Sequence, residues 1–436
     1  VDFLMSKGEK IGMINVHLYR PFSPKHFFQV LPKSVKKIAV LDRTKEPGAM
    51  GEPLYQDVCS IFKEIGSDIP IVGGRYGLSS KDTTPGQIVS VFENLKQDKP
   101  KNNFTIGIVD DVTHTSLPRA EEPKLSTEGL TSAVFWGMGS DGTVGANKNS
   151  IKIIGHATDL YCQAYFVFDS KKSGGLTQSH LRFGKNPIRS PYLVTAADFV
   201  ACHNPSYIHQ YDMVAGLKEG GTFLLNCQWS ADELDTQLPA SMKRALYEKK
   251  AKLYIINAID IARGLGLGNR TNTILQASFF NLTGVIPIEQ AVTEMKEAIY
   301  KSYFKKKGQK VVDMNNASID HGINELVAVE IPEAWAAAED APRQDNVPEF
   351  IKEIVAPMNR QQGDALTVGQ MMKYGLEDGT WPAGTSQYEK RGAAVEVPQW
   401  DMTACIQCNQ CAYVCPHAAI RPILLDEAEA ANKPDG

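Results

Sequence analysis

No run of apolar residues in this chain approaches the roughly 20 needed to cross a bilayer, so no membrane span is expected. No secretory signal opens it, and no broad basic stretch runs through it. The formal net charge is -4. The compact basic run Lys305-Lys306-Lys307 follows an expected helix end, where cations are favourable without any ligand. Neither nucleic acid nor membrane is therefore expected as a partner. There is no Ser/His/Asp set and no spaced carboxylate pair to mark a catalytic centre. His203, His209 and His321 stand alone, as structural or surface histidines do. Outside one loop cysteine is sparse: Cys59, Cys162, Cys202 and Cys227 lie singly in apolar surroundings, the pattern of buried thiols in a reducing compartment. These absences predict a cytoplasmic protein. Hydrophobic residues at 43% and charged residues at 22% place it among globular chains, and 436 residues call for more than one core.

What is present has an α/β rhythm. KIGMINVHLYRPF and VKKIAVLDR read as buried strands, GEPLYQDVCSIFKEIG as a helix ending at glycine, and IPIVGGRYGL as a strand entering a turn. The opening VDFLMSKGEK reads as the last turns of a helix, without an initial methionine, so a segment upstream is expected. The polar, proline-bearing HTSLPRAEEPKLSTEG separates this block from a second one at about 130–310. There TSAVFWGMG, QAYFVFDS, ADFVACH, GGTFLLNC and AKLYIINA alternate with helical segments, which predicts a mostly parallel sheet. Residues 332–395 lose the rhythm and read as short helices and irregular chain.

FWGMGSDGTVGANKN carries G-x-G-x-x-G at Gly137, Gly139 and Gly142, between an expected strand and an expected helix. That arrangement aims backbone N–H groups at a phosphate from a helix N-terminus. Asp169, at the end of the next strand, suits the acidic position of a dinucleotide site, so NAD is one reading. Asn147 and Lys148 are polar groups able to grip a phosphate-bearing ligand directly, and a tight turn with no ligand is the plain alternative. KSGGLTQSHLRFGKNPI, with Ser179, His180 and Arg182, is either an anion site or a polar loop over the sheet. GLGLGNRTN is either a second phosphate-type turn or a packing or subunit-contact loop.

The four remaining cysteines form C-x2-C-x2-C-x3-C-P at Cys405, Cys408, Cys411 and Cys415, with Pro416 following. Zinc sites pair cysteines as separated knuckles. Three thiols in close succession wrap one loop around an iron–sulfur cube, and by the ferredoxin pattern the fourth reaches a second cluster. A second run should supply the missing ligand, and none follows before Gly436. Both ends therefore read as those of a fragment.

Taken together, these stretches resemble the pyruvate:ferredoxin (flavodoxin) oxidoreductases. The resemblance is carried by LYRPF, VLDRTKEPGAMGEPLYQDV, GGRYGLSSKDTTP, the glycine loop, GGLTQSHLRFG, GDALTVG, YEKRG and the cysteine run. It implies two Rossmann-like, parallel-sheet α/β domains, then a small irregular α+β module and an incomplete ferredoxin-like domain. The expected divisions are 1–110, transketolase C-terminal-like; 125–315, the gamma domain; 316–395, the module named for Glu389-Lys390-Arg391; and 396–436. It implies oxidative decarboxylation of pyruvate with CoA to acetyl-CoA and CO2 in anaerobic metabolism, by a homodimer passing electrons through [4Fe–4S] clusters to ferredoxin or flavodoxin. Thiamine diphosphate and Mg are expected outside this stretch, which alone should be inactive. Gly137, Gly139, Ser140, Asp141, Gly142, Thr143, Asn147 and Lys148 become the expected CoA-phosphate contacts, with the GGRYG and DRTKEPG turns facing the same task. An NAD-binding iron–sulfur oxidoreductase subunit, or a non-catalytic scaffold, are the competing readings.

Overall fold

The computed structural model describes residues 1–125, 127–170, 174–340, 347–389, 398–416 and 418–431. It forms two compact units, Val1–Arg391 and Gly392–Gly436. The first opens with helix α1 (Asp2–Ser6), the helical ending expected there. Residues 10–22 do not form the strand that their apolar character suggests. They are irregular, and Met13 is 73% exposed. A strand needs a neighbour for its N–H and C=O groups, and neither sheet of the described residues includes this stretch. Helix α2 (Pro24–Val30) then starts on a Ser23 cap.

Three parallel strands follow in the order β1-β2-β3: β1 (Ile38–Asp42), β2 (Ile71–Arg75) and β3 (Phe104–Thr105). Helices α3 (Pro53–Glu64) and α4 (Pro85–Lys96) cover them. Helix α3 buries Val58, Ile61 and Phe62, spaced to share one face, against Val40. Helix α4 brings Val91 onto Val72 and Phe104. Burying each such side chain contributes roughly 1.5–3 kcal/mol before the entropy of ordering it is subtracted.

The second block runs β4 (Leu130–Met138), α5 (Thr143–Ala157), β5 (Tyr161–Phe168), β6 (Leu176–Gly184), β7 (Ala197–Cys202), β8 (Leu217–Asn226), α6 (Leu234–Gln237), α7 (Ala240–Glu248) and β9 (Lys252–Ile256). It continues with α8 (Ala258–Gly264), α9 (Asn272–Thr283), α10 (Ile288–Lys307), α11 (Gln309–Asn324) and β10 (Val327–Val329). The sheet order is β10-β9-β8-β7-β4-β6-β5. All five strands expected from sequence are present, but the sheet is mixed rather than mostly parallel. Strand β6 runs antiparallel to both β4 and β5, and β10 antiparallel to β9. The stretch read as either an anion site or a polar loop forms β6 instead, an interior strand in which Ser179, His180 and Arg182 are all buried. Lys172, at its expected start, lies outside the described residues. Such residues sit in an interior strand where the fold supplies partners that no local pattern announces: Arg182 donates to Gln163 and Leu193, and His180 Nδ1 accepts from the Val194 N–H.

Helix α9 is buried along Thr273–Phe280, and the Phe279 ring packs on Phe135, Phe183 and Phe199 of the sheet. The turn GLGLGNRTN places Leu267 in this core, which favours its packing reading. The division expected at 315/316 falls inside α11. The block continues at least to Asp340, whose carboxylate accepts from the Ala240 N–H at 2.9 Å. Residues 347–389 form short helical turns, among them α12 (Ala356–Asn359) and α13 (Val368–Lys373). They are tied to the first block by Val368 N–H to Val109 O at 3.0 Å and Gly369 N–H to Asp111 Oδ1 at 2.7 Å. Of Glu389-Lys390-Arg391, only Glu389 is among the described residues. The second unit carries α14 (Gln410–Val414) across its cysteine loop, and most of its described side chains are exposed.

Candidate functional site

The glycine loop sits where expected, between the carboxyl end of β4 and the start of α5. Its conformation is held from within. The Asp141 carboxylate accepts from the N–H groups of Met138 and Thr143 and from the Thr143 hydroxyl, each at 2.8 Å. A carboxylate at this position caps the helix and is stabilised by the partial positive charge there. Gly142 has φ +91°, a backbone state that side chains resist. Gly137 has a different reason: a Cβ there would lie 2.5 Å from Thr143 Oγ1. The Gly139 N–H donates to Gly175 O at 2.7 Å. The N–H groups of Met138, Gly139 and Thr143 are thus already engaged within the fold.

In front of the loop lies an open cleft of about 340 Å³, with Ser140, Asp141, Gly145, Phe168, Asp169 and Thr177 among its walls. Among the described residues, its charged lining groups are two carboxylates. The Thr177 hydroxyl is buried there without a partner among the described residues. Of the residues expected to bind phosphate, Gly139, Ser140, Asp141 and Gly142 are on these walls, and Gly137, Thr143, Asn147 and Lys148 are not. Lys148 is exposed on α5, its Nζ 5.3 Å from the ring centroid of Phe166 on β5. Asn147 is buried, with its side-chain nitrogen unpartnered among the described residues. Asp169 does reach the cleft, but β6 lies between β4 and β5. That puts its strand roughly 9–10 Å from the glycine strand, twice the spacing of adjacent strands.

His203, which the sequence leaves as an isolated histidine, lies beside this site. Its Nδ1 is 2.7 Å from Thr143 Oγ1. The residue is 60 positions along the chain from Thr143, and no local pattern joins them. The available cue is its place just beyond the carboxyl end of a strand, where ligands bind in α/β sheets. His180 and Arg182, on β6, are structural. Arg182 donates to Gln163 Oε1 at 2.9 Å and to the Leu193 carbonyl at 2.9 Å, so its guanidinium is not presented to an anion.

Burial pushes the pKa values of His180 and His203 down from 6.5 to about 4, with Arg182 adding to the effect at His180 and Asp141 opposing it at His203. Both are neutral in the fold at pH 6. The unfolded chain therefore binds more protons between about pH 6.5 and 4, and stability falls as pH drops through that window. His203→Gln is expected to flatten this acid limb in a pH series of thermal midpoints. An equally steep limb in the variant would count against a neutral His203.

In the second unit no disulfide joins the cysteines. Gln407 (φ +57°) and Asn409 (φ +59°) take the left-handed conformation on either side of Cys408, coiling the chain tightly between its thiols. The Gln407 N–H points at Cys405 Sγ at 3.4 Å, and the Ala419 N–H at Cys415 Sγ at 3.3 Å. Among the described residues no three His, Cys, Asp or Glu side chains gather closely enough for a single metal ion. Four thiols on a coiled loop, with N–H groups directed at sulfur, suit the chemistry of iron–sulfur ligation.

Comparison with known families and proteins bears on each part. Residues 132–325 match the model described as pyruvate ferredoxin/flavodoxin oxidoreductase, and residues 1–88 that of pyruvate:ferredoxin oxidoreductase core domain II. Residues 337–394 match a domain of unknown function, and residues 397–420 a 4Fe-4S binding domain. The whole chain is 56% identical to 37% of a pyruvate-flavodoxin oxidoreductase of Enterobacter agglomerans. It is 54% identical to 37% of a pyruvate:ferredoxin oxidoreductase of Moorella thermoacetica. It thus spans somewhat over a third of the length of these two relatives. Among solved structures, the pyruvate oxidoreductase subunit PORC of Thermotoga maritima is 19% identical with a TM-score of 0.38, covering 46% of this chain and 99% of its own. No described helix is long and apolar enough to cross a membrane.

Proposed function

This chain belongs to the pyruvate ferredoxin/flavodoxin oxidoreductase family, and from that premise we propose the activity of the longer protein it corresponds to. That protein oxidises pyruvate with CoA to acetyl-CoA and CO2 and passes the electrons singly to ferredoxin or flavodoxin. The observation that carries the reading is a ferredoxin-type cysteine run in one chain with two α/β blocks. When bound, a [4Fe–4S] cluster supplies one-electron transfer. Cys405, Cys408 and Cys411 would hold it, with Cys415 serving a second cluster. Thiamine diphosphate with Mg, a homodimeric assembly and a cytoplasmic location belong to the same proposal, the thiamine site being assigned to segments of the relatives that this chain does not match.

CoA enters, in this reading, along the loop Gly137–Gly142. Two carboxylates disfavour a phosphate on the cleft wall, so the uncharged, amide-bearing arm of CoA is placed there, donating to Asp141 and Asp169. The phosphates lie outward, toward exposed Lys148. In full-length protein purified anaerobically, pyruvate-dependent reduction of a viologen dye is expected to require CoA. Lys148→Ala is expected to raise KM for CoA about tenfold while leaving that for pyruvate unchanged, the loss of one charge-assisted contact. Dye reduction indifferent to CoA, with a nicotinamide fluorescence change on NADH addition, would replace this with the NAD-binding reading that Asp169 favours.

A further inference from the structure

Asp141, Thr143 and the sequence-distant His203 form a continuous chain behind the glycine loop. The Asp141 carboxylate can only accept, so the single hydroxyl proton of Thr143 points to it across 2.8 Å. The Thr143 oxygen then accepts from His203 Nδ1–H at 2.7 Å. This order of donors selects one tautomer of the ring and leaves Nε2 a bare lone pair, buried without a partner among the described residues.

His203 is itself held from three sides. Its N–H donates to Trp136 O at 2.8 Å, its carbonyl accepts from Asn226 Nδ2 at 2.9 Å, and its ring stands edge-on to Phe135. Asn226 in turn accepts from the Ala258 N–H at 3.0 Å, where α8 begins. The chain therefore links the carboxyl ends of β8, β7 and β4, three parallel neighbours at the side of the sheet where α/β folds bind ligands. An apolar side chain in the place of His203 would fill the same core with no unpaired nitrogen, so packing alone does not account for a histidine here.

We infer that Thr143 and His203 are positioning residues, which through Asp141 fix the shape of the loop Gly137–Gly142 and the direction in which it offers its carboxylate to the cleft. The inference rests on the reading of the cleft as the CoA approach, and the two are separable by experiment. Thr143→Val keeps the shape of the buried side chain and removes both hydrogen bonds, while Thr143→Ser restores the hydroxyl.

In this chain, isotope-labelled, the amides of Met138 and Thr143 should exchange about five- to tenfold faster in Thr143→Val, with mixed tautomers at His203 in its 15N signals. Thr143→Ser should return both toward the parent. Unchanged exchange and an unchanged tautomer in Thr143→Val would overturn the inference. In the full-length enzyme, Thr143→Val should raise KM for CoA several-fold without raising that for pyruvate. Faster exchange in this chain with no change in KM for CoA would uphold the positioning chain and reject the CoA reading of the cleft.

Discussion

In the full-length protein, Cys408→Ala is expected to eliminate one [4Fe–4S] cluster, lowering bound iron by about four atoms per chain and stopping pyruvate-dependent dye reduction almost entirely. Cys408 lies between two left-handed residues, Gln407 and Asn409, midway between Cys405 and Cys411 in the loop. Without it the loop offers two thiolates of the three it would give to that cluster. The electrons then lose a step in their path, which tunnelling between the remaining centres cannot replace at a useful rate. Iron analysis and low-temperature EPR give the cluster count. Circular dichroism should show the α/β blocks unchanged, because the cysteines belong to a separate compact unit. Full iron content in the variant would remove Cys408 from the ligand set.

Gly137→Ala should cost the second block about 2–4 kcal/mol and lower its thermal midpoint by roughly 5–10 °C. An added Cβ would stand 2.5 Å from Thr143 Oγ1, 2.6 Å from its Cβ and 2.8 Å from its Cγ2. Thr143 is 1% exposed and is held by Asp141 on one side and His203 on the other, so it has no room to yield. The first glycine of the motif thus admits a threonine rather than a ligand. A double-mutant cycle separates the two explanations. Gly137→Ala combined with Thr143→Ala should recover much of the loss, since the second change vacates the space the first requires. Equal damage in the single and double variants would place the strain elsewhere.

The parts of this molecule that could be read without coordinates are those in which neighbours along the chain determine the outcome. Helix α3 follows from apolar residues spaced to share one face, and β4, β5, β7, β8 and β9 follow from short apolar runs bounded by turn residues. The cysteine run announces its chemistry because its ligands are three and four residues apart and belong to one loop. The glycine motif likewise located the β4–α5 turn. What such patterns leave open is how a group is used once the chain has folded. Residues 10–22 carry strand-like residues yet have no strand to pair with, whereas β6, rich in polar residues, is an interior strand because β4 and β5 flank it. Lys148 sits near the motif in sequence, one helical turn beyond Val144 and Gly145, but its Nζ lies over Phe166 and it is not on the cleft wall. His203, distant in sequence, comes to Thr143 because β7 lies directly beside β4. Local spacing by itself determined the cluster loop and most of the elements. Only the tertiary structure decided which polar groups meet, because hydrogen bonds between strands depend on sheet order, and sheet order is set by burial across the whole block rather than by any one segment.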